Sequence, residues 1–501
     1  MALRLVNFLV PSVTRCREKL LVRHREQLVD WVVHRYLHTN KFTLRTSTKH
    51  PNRVHHQAMD PSRIAICHMR ATNKKEDNLK QVEQIVETAK SQQVKIVFLP
   101  ECCDFVGENS RETIELAEPL TGSTVSAYCK LALSNRIWIS CGGIHESVLS
   151  KDGSKTNKIY NTHILINDEG KIVAEYRKLH LFDVDTPEKS FRESKVVSAG
   201  DVLLTPVQTP VGSIGMQICY DLRFPEASLI LRKRGAQILT YPSAFAVSTG
   251  KAHWEILLRA RAIENQCFVI APAQIGRHNA KRESYGHGMI VGPWGEILAQ
   301  CKPTDLDVAI ADIDLNNLEK VRQNMPCFEH RRNDVYTLAA ISTYHVPSPV
   351  PEKFADFTIP IDTIFYRSEF SFAFTNIRCV VPGHVLVATK RNIPRLKDMT
   401  ADEITDFFHT VSKIQRCLES IYGTTSSTVT VQDGADAGQT VKHVHCHIMP
   451  RKSGDFEHND QIYIELNRHD HDKTMKRRPL EEMVAEAQRY RDYFTKAGQV
   501  N

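Results

Sequence analysis

Three histidines alternate with apolar residues near the carboxyl end of the chain, in the string VKHVHCHIMPR. On a β-strand, this period of two would turn His443, His445 and His447 to one face. The opposite face would then carry Val444, Cys446 and Ile448. Two kinds of chemistry suit such a row: a zinc site, because His-x-His can chelate the ion, or nucleophilic catalysis by an imidazole. Imidazoles in line on one strand rarely supply three zinc ligands alone, so the surrounding residues have to decide.

Three further residues, far apart in the sequence, combine into a second chemically sufficient set. Glu101 follows the apolar run VFLP, Lys178 lies in EYRKLHLFD among charges of both signs, and Cys219 ends the apolar strand of SIGMQICYDLRFPE. Taken singly, each has an ordinary explanation: a solvated acid, a surface lysine and a packing cysteine. Together they supply a carboxylate base, an ammonium that stabilises a thiolate or an oxyanion, and a thiol nucleophile. Cys219 also leads within a few residues to a predicted helix at Pro225, a placement that resembles a nucleophile elbow.

The chain that must position these residues is 501 residues long, which exceeds the roughly 250 to 300 residues that one hydrophobic core usually spans. We therefore expect two globular domains. No stretch offers about 18 consecutive apolar residues, so we expect no membrane insertion. The 13 cysteines are an odd number without metal-type Cys-x-x-Cys pairs, which favours a reducing compartment over a disulfide scaffold.

The formal net charge of +7 is concentrated at the amino end. Residues 1–58 hold 11 Lys and Arg against 3 acidic residues, so the rest of the chain is close to neutral. This basic, acid-poor leader is typical of a mitochondrial transit peptide or a disordered extension, and an internal start at Met59 would give a cytosolic form. We expect a cytoplasmic and/or mitochondrial location. Nucleic-acid binding is disfavoured, because the leader lacks regularly interleaved aromatic residues.

Strand and helix signals alternate over residues 59–343, which predicts an α/β domain. The segment 63–69 reads as a strand, 78–94 as a helix, and 95–100 as the buried strand that precedes Glu101. Further strands are predicted at 136–141, 213–218 and 238–241, with a hairpin around 167–170. The stretch YHVPSPVPEK, 344–353, has proline at every second position of its centre, so we expect an extended linker there.

The second domain, 354–501, is predicted to be α+β. Short strands at 364–366, 370–375 and 385–389 precede a helix that opens with a capping box from Thr400 to Glu403 and stops at Gly423. Two more strands are predicted at 428–432 and 443–449. The apolar stripe of the helix predicts the residues that face the core: Ile404, Phe407, Phe408, Val411, Ile414, Leu418 and Ile421.

The segments FLPECCDF, YRKLHLFD and ICYDLRFPE, in that order, resemble the Glu, Lys and Cys motifs of the nitrilase superfamily of carbon-nitrogen hydrolases. The resemblance covers residues 63 to about 338, including a closing strand region at RRNDVYTL, and implies an α-β-β-α sandwich. Carried over by position, Glu101 would be the general base, Lys178 the oxyanion stabiliser and Cys219 the nucleophile. Glu193 in FRESK matches a second carboxylate of the family, although Glu188 could align in that role instead. The implied chemistry is amide hydrolysis through a thioester, on small amide-bearing carboxylic acids, with deaminated glutathione as the family's best candidate.

The alternating histidines and their surroundings resemble the histidine triad superfamily of nucleotide hydrolases and transferases, and specifically its fragile histidine triad branch. FTNIRCVVPGH, VTVQDGADAGQTVKHVHCHIMPRKSGDF and YIELNRHD carry this resemblance, over about 354–470. It implies hydrolysis of dinucleoside polyphosphates, typically diadenosine triphosphate to AMP and ADP, with His445 attacking the α-phosphate to form a nucleotidyl-histidine. His443 and His447 would orient the nucleophile and bind or protonate phosphate oxygens. The branch's nucleotide-contacting positions match Asn376, His384, Gln432 and Gln439.

The two resemblances, in this order in one chain, are similar to a known fusion of the two domain types, which implies a bifunctional hydrolase that assembles as a homotetramer. A divalent cation such as Mg²⁺ or Mn²⁺ would assist the nucleotide site by neutralising the polyphosphate, but no ligand set for it is visible in the sequence. An alternative is a signalling or scaffold protein that binds a dinucleotide as a switch and hydrolyses it slowly, with Tyr463, expected in a polar loop, as a modification site. Comparing turnover with the lifetime of bound ligand would separate the two.

Overall fold

The computed structural model of the chain describes residues 60–150, 153–185, 190–333, 335–338, 350–472, 474 and 476–497. The leader at 1–58, Met59, Glu188 and most of the proline-rich stretch lie outside the described residues. Within them, helices and strands fall into a first set over 62–324 and a second set over 352–497. The buried apolar clusters of the first set share no residue with those of the second, so each has its own core.

The first domain is built from short strands and six described helices. The strands are β1 (Ser62–Met69), β2 (Ile96–Leu99), β3 (Trp138–Leu149), β4 (Lys155–Ile166), β5 (Ile172–Arg177), β6 (Asp183–Asp185), β7 (Ser190–Arg192), β8 (Val207–Thr209), β9 (Gly212–Met216), β10 (Ile238–Thr240), β11 (Phe268–Ala271), β12 (Ala273–Arg277), β13 (Glu283–Tyr285), β14 (Met289–Val291), β15 (Ile297–Gln300) and β16 (Asp307–Ile313). The helices are α1 (Lys75–Ser91), α2 (Ser110–Leu116), α3 (Ser123–Asn135), α4 (Pro225–Lys233), α5 (Val247–Asn265) and α6 (Leu315–Asn324).

Two sheets form the centre of this domain. One runs β13-β12-β1-β2-β3-β4-β5, with β16 also paired to β1, and the other runs β15-β14-β11-β10-β9-β8. Alternate side chains of β1 serve different layers, because Ile64 and Ile66 pack towards the second sheet whereas Ala65 and Cys67 pack under α1 and α3. Helices α4 and α5 cover the second sheet. This is the α-β-β-α sandwich that the resemblance implied, in which the helices and the facing sheet cover strands of mixed direction.

The second domain has the predicted α+β architecture. Its strands are β17 (Glu352–Phe354), β18 (Phe357–Ile359), β19 (Ile364–Arg367), β20 (Ser371–Thr375), β21 (Val385–Thr389), β22 (Ser426–Thr430) and β23 (His445–Arg451), and its helices are α7 (Ala401–Tyr422), α8 (Gln461–His471) and α9 (Leu480–Ala497). Five strands form an antiparallel sheet in the order β19-β20-β21-β23-β22. One face of this sheet packs against α7 and α9, which leaves the other face to the histidines.

Three details of the sequence-based prediction need correction. Ile404 and Phe408 of α7 are 41% and 46% exposed, because the buried stripe of that helix is narrower than its apolar pattern. No strand forms at 331–338 in the part of that segment that the structure describes, where turns replace the expected closing strand. The strand that carries the histidines begins at His445, so His443 precedes it. By contrast, the capping box from Thr400 to Glu403 and the left-handed stop at Gly423 are confirmed.

Buried histidines of the first domain link its stability to pH. Burial lowers the pKa of His68, His163 and His278 to about 4 in each case, so these rings fold in the neutral form. His145 behaves oppositely: burial alone would lower its pKa, but the Asp104 carboxylate, 3.0 Å from its Nδ1, raises it to about 10. Below pH 6.5 these three histidines become protonated in the unfolded chain, whereas in the folded chain they stay neutral down to about pH 4. Between pH 6.5 and about 10 only the folded chain keeps the proton of His145.

We therefore expect the free energy of unfolding of this domain to be greatest near pH 6.5 and to fall on both sides. On the acid side each of the three histidines should cost about 1.4 kcal/mol per pH unit. Urea unfolding of the full chain at several pH values, followed by tryptophan fluorescence, would measure this, since three of the four tryptophans are in the first domain: Trp138, Trp254 and Trp294.

The variant His163→Gln provides the control, because removing one neutral ring should flatten the acid arm and leave the alkaline arm unchanged. A free energy of unfolding that does not change between pH 6.5 and 5.5 would contradict the assignment.

Candidate active sites

The first site is a buried ammonium between two carboxylates. Lys178 Nζ donates to Glu101 Oε1 at 2.9 Å and to Glu193 Oε2 at 2.9 Å, and its side chain is 2% exposed. Cys219 is buried close to the same groups, since Glu101 and Lys178 both influence its pKa. The structure thus brings together Glu101, Lys178, Cys219 and Glu193, and Glu193 is the second carboxylate that contacts the lysine among the described residues.

Each of these side chains leaves a strand end at the interface of the two sheets. Glu101 comes just after β2, Lys178 directly follows β5, and Cys219 opens a 3₁₀ turn, Cys219–Arg223, after β9. Backbone hydrogen bonds fix two of them, because Lys178 N–H donates to Asn161 O at 2.9 Å and Cys219 N–H donates to Pro242 O at 3.0 Å. These reactive side chains thus lie where buried strands end, and α/β sheets bind their ligands at the ends of their strands.

The backbone is strained at the nucleophile. Cys219 has φ +43°, in the left-handed region that a non-glycine residue rarely adopts. The buried Asp221 holds this turn in place, because its carboxylate accepts from Ile218 N–H at 2.9 Å, from Tyr176 Oη–H at 2.8 Å and from His180 Nδ1 at 2.7 Å. The turn therefore has the sharp strand-to-helix form that the sequence suggested for Cys219.

The electrostatics of the cluster follow from its burial and its pairing. Burial disfavours the charged form of Glu101, but the Lys178 ammonium outweighs it and lowers the pKa of that carboxyl to about 2. Burial also opposes the charge of Lys178, yet Glu101 and Glu193 together raise its pKa well above the usual value. Burial and the Glu101 carboxylate raise the pKa of Cys219, while Lys178 opposes them. The resting site thus contains a thiol, an ionised base and an ammonium.

Two contributions to this site were missed by the sequence analysis. Asn161 Nδ2–H donates to Glu101 Oε1 at 2.9 Å and lies 3.3 Å from Glu193 Oε1, and Ala244 N–H donates to Glu101 Oε2 at 2.8 Å. Asn161 and Ala244 are far from Glu101 in sequence, so no local sequence pattern predicts these contacts. Asn161 lies in β4 among other polar residues, so the sequence of that strand does not single it out either.

The second site is organised by the tautomers of its histidines. Ala355 N–H donates to His443 Nδ1 at 2.9 Å, so the ring proton of His443 is on Nε2, which donates to Thr389 O. His445 Nδ1 lies 2.7 Å from His443 O, a carbonyl that can only accept. His445 therefore carries its proton on Nδ1 and has its lone pair on Nε2.

A second chain of bonds fixes His447. Val380 N–H donates to His384 Nδ1 at 3.2 Å, so His384 carries its proton on Nε2 and donates it to His447 Nδ1 at 2.9 Å. Burial and neighbouring histidines lower the pKa of both His384 and His447 well below 6.5, which keeps the relay neutral. His447 Nε2 then carries a hydrogen. This atom is buried and has no hydrogen-bond partner among the described residues, so its N–H is available to donate to a bound ligand.

The remaining predicted nucleotide-binding residues divide into two groups. Asn376 Nδ2 lies 3.3 Å from His384 Nε2, and Gln432, two residues beyond the end of β22, has a buried Oε1 without a hydrogen-bond partner among the described residues. Gln439 instead accepts from Gly434 N–H and donates to Pro394 O, so its amide holds a loop. The imidazole of His443 is likewise occupied on both nitrogens. The carbonyl of His443 contacts His445 Nδ1, and the predicted contact of His443 with substrate stays a prediction.

No three His, Cys, Asp or Glu side chains stand together in the described residues as a metal site would require. The described residues therefore offer no ligand set for zinc at the histidine row, and none for a divalent cation.

Tyr463 lies in helix α8 with its side chain 56% exposed, not in the polar loop that the sequence suggested. None of the described helices is long and apolar enough to cross a membrane.

Comparison with known proteins divides the chain in the same way. Residues 63–323 match the carbon-nitrogen hydrolase family and residues 360–454 match the HIT domain family. A nitrilase and fragile histidine triad fusion protein of Drosophila melanogaster is 56% identical, over 86% of this chain and 92% of its own length. The deaminated glutathione amidase of Mus musculus is 48% identical over 54% of this chain and 84% of its own length.

A solved structure supports the same assignment. The crystal structure of the Caenorhabditis elegans nitrilase and fragile histidine triad fusion protein matches with a TM-score of 0.77 at 45% identity, covering 87% of this chain and 100% of that one. The first domain is thus a carbon-nitrogen hydrolase domain related to deaminated glutathione amidase, and the second is a HIT domain. The chain belongs to the family of nitrilase and fragile histidine triad fusion proteins.

Proposed function

We propose that the first domain hydrolyses the amide of a small amide-bearing carboxylic acid, with deaminated glutathione as the leading candidate. The observation that carries this proposal is the contact of Lys178 with Glu101 and Glu193 beside the buried Cys219. The relation to deaminated glutathione amidases supports the choice of substrate.

In the proposed reaction, Cys219 Sγ attacks the amide carbon while Glu101 takes the thiol proton. Lys178 stabilises the oxyanion that forms, because its charge sits in a site from which water is largely excluded. Glu101 returns the proton to the leaving nitrogen, the amine product departs, and a thioester remains on Cys219. Water, deprotonated by Glu101, then cleaves the thioester, which releases the acid and regenerates the thiol.

Cys219→Ala should abolish amide hydrolysis, because no other atom in this proposal forms the thioester. Hydrolysis of diadenosine triphosphate by the same protein should stay near the native rate, since the two domains have separate cores. Parallel assays of the two activities on the folded full chain would measure this. Loss of both activities in a folded variant would contradict it.

Glu193→Gln should lower kcat for amide hydrolysis on the order of 100-fold, because it leaves Lys178 with one carboxylate and alters the charge of the cluster. Glu188→Gln is the matched comparison and should change kcat less than about threefold if Glu193 is the second carboxylate. Steady-state hydrolysis of deaminated glutathione would compare the two variants. The opposite order of effects would assign the second carboxylate to Glu188.

We propose that the HIT domain cleaves diadenosine triphosphate to AMP and ADP through a nucleotidyl-histidine on His445. Two features support this: the lone pair that hydrogen bonding directs to His445 Nε2, and the buried Nε2–H donor of the adjacent His447. The two rings lie 5.1 Å apart, close enough to serve one phosphate. Catalysis here needs positioning and charge stabilisation more than covalent chemistry from several groups.

In this reaction His445 Nε2 attacks the α-phosphorus and ADP leaves. His447 Nε2–H donates to a phosphate oxygen, and His443 keeps the attacking ring in the right tautomer through its carbonyl. Water then cleaves the phosphorus–nitrogen bond to release AMP. A divalent cation would enter with the polyphosphate and neutralise its charge, and the described residues offer no set of ligands to hold it in advance. We also propose a homotetramer, on the resemblance alone, and a cytoplasmic and/or mitochondrial location, on the composition of the basic leader.

His445→Asn should abolish turnover of diadenosine triphosphate while still allowing it to bind, because asparagine keeps a hydrogen-bonding side chain but lacks the nucleophile. Brief reaction of the native protein with labelled substrate, followed by quenching, should trap an acid-labile AMP adduct on His445. Peptide mapping under alkaline conditions would locate the label.

His443→Asn should slow the reaction less than His445→Asn does, because its carbonyl remains while the ring bonds to Ala355 and Thr389 are lost. An adduct on His443 or His447, or near-native turnover by a chain without His445, would overturn the assignment.

A further inference from the structure

The loop between β20 and β21, residues 376–384, contains two of the residues proposed to serve the nucleotide site, Asn376 and His384. Its backbone also sets the protonation of that site. The N–H of Val380 occupies His384 Nδ1, so His384 donates from Nε2 to His447, which keeps its own hydrogen on Nε2. A shift of this loop would therefore move both proposed nucleotide contacts and remove the bond that sets the tautomer of His447.

Arg478, in the segment between α8 and α9, holds the backbone of this loop. Its N–H donates to Ile377 O at 2.8 Å, and its Nη1–H donates to Asn376 O at 3.2 Å. The same nitrogen lies 3.1 Å from Cys379 Sγ. One residue thus contacts three members of the loop, and its side chain is 14% exposed.

Two carboxylates of α9 fix this guanidinium. Its Nε–H donates to Glu482 Oε1 at 2.7 Å and its Nη1–H to Glu486 Oε2 at 2.8 Å. Glu486 also accepts from Tyr422 Oη–H at 2.8 Å, which connects the arrangement to the end of α7. The charge of Arg478 is therefore balanced within the fold, so this side chain is a fixed donor to the loop rather than a binding site for an anion.

A second residue of the carboxyl-terminal region contacts the loop. His469 of α8 donates from Nε2 to Arg378 O at 3.1 Å. Its ring centre lies 5.1 Å from that of His384 and 5.9 Å from that of His447. Both of these loop-holding residues lie beyond the part of the chain that matches the HIT domain family. The carboxyl-terminal region thus fixes the nucleotide loop, although it supplies none of the residues predicted for the site.

We propose that Arg478 is a positioning residue for the reaction of the HIT domain, because it holds the loop where Asn376 and His384 serve the substrate. The inference rests on the proposed hydrolysis of diadenosine triphosphate and adds the region beyond the histidines to its machinery. The planar guanidinium suits this role, since its fixed fork reaches the loop and both carboxylates at once. Arg478 acts through the loop and touches no reacting atom.

Arg478→Gln should lower kcat for diadenosine triphosphate on the order of 100-fold, the effect typical of displacing a positioned group by about 1 Å. KM should change less than kcat, because the N–H of His447 acts on the phosphate as its bond to His445 forms. Arg478→Lys should restore part of kcat, because an ammonium keeps the charge between the two glutamates without the planar fork. Steady-state release of AMP by the full-length chain would give both constants.

Arg491→Gln is the matched control. Arg491 also lies on α9 and also holds backbone, since its Nη1–H donates to Asp362 O at 3.0 Å and to Ile364 O at 2.9 Å. These carbonyls lie at the start of β19 and are not part of the loop. The variant should therefore lose a similar anchor and keep kcat within about threefold of the native value.

Thermal unfolding of each variant would show whether it is folded at the assay temperature. A folded Arg478→Gln variant with native kcat, or an equal loss of kcat in Arg491→Gln, would overturn the positioning role. If Arg478→Gln does not fold, Arg478→Lys replaces it, and native kcat in that variant would overturn the role equally. A native protein that releases no AMP would contradict the proposed hydrolysis itself, and the positioning role with it.

Discussion

The buried ammonium of Lys178 is the interaction on which the first active site depends. Removing an unpaired ammonium from water costs on the order of several kcal/mol, and this side chain is 2% exposed. Glu101 follows β2, Lys178 follows β5 and Glu193 comes from the segment after β7, so their contacts form only when these elements are in their native places. The reactive cluster therefore also holds these segments together. Burying its charged groups costs free energy, and a buried network with unsatisfied polar groups would destabilise the fold. This explains why Asn161 and Ala244 add hydrogen bonds to Glu101.

The second site solves a related problem with neutral groups. An imidazole is a nucleophile only where its lone pair is exposed, and the backbone decides which nitrogen that is. The carbonyl of His443 sets the tautomer of His445, and the amide of Val380, acting through His384, sets that of His447. Neighbouring histidines of one strand thus differ at the same ring atom: Nε2 of His445 carries a lone pair, and Nε2 of His447 carries a hydrogen. Neutral groups achieve this difference, which would suit the anionic polyphosphate of the proposed reaction.

Sequence patterns predicted much of this arrangement because they reflect local periodicity. The alternation of Val444, Cys446 and Ile448 with the histidines correctly predicted two faces, and the capping box predicted where α7 begins. The burial of Lys178 was harder to predict, because its charged neighbours in sequence suggest a surface residue, whereas the structure buries it. The occupied ring of His443 could not be predicted, because its partners Ala355 and Thr389 are 88 and 54 residues away in sequence. The exposure of Ile404 and Phe408 likewise depends on how much of the helix the sheet covers.

The assignment of Cys219 matters most, because a second thiol lies close to the same base. Cys102 follows Glu101 directly, but its sulfur contacts the guanidinium of Arg282, whereas Cys219 is influenced by both Glu101 and Lys178. Rapid quenching of the native protein during turnover of deaminated glutathione, followed by mass spectrometry of its peptides, distinguishes the two thiols. We predict an acyl thioester on Cys219 alone. An acyl group on Cys102 or Cys103, or amide hydrolysis with no acylated cysteine, would contradict this prediction.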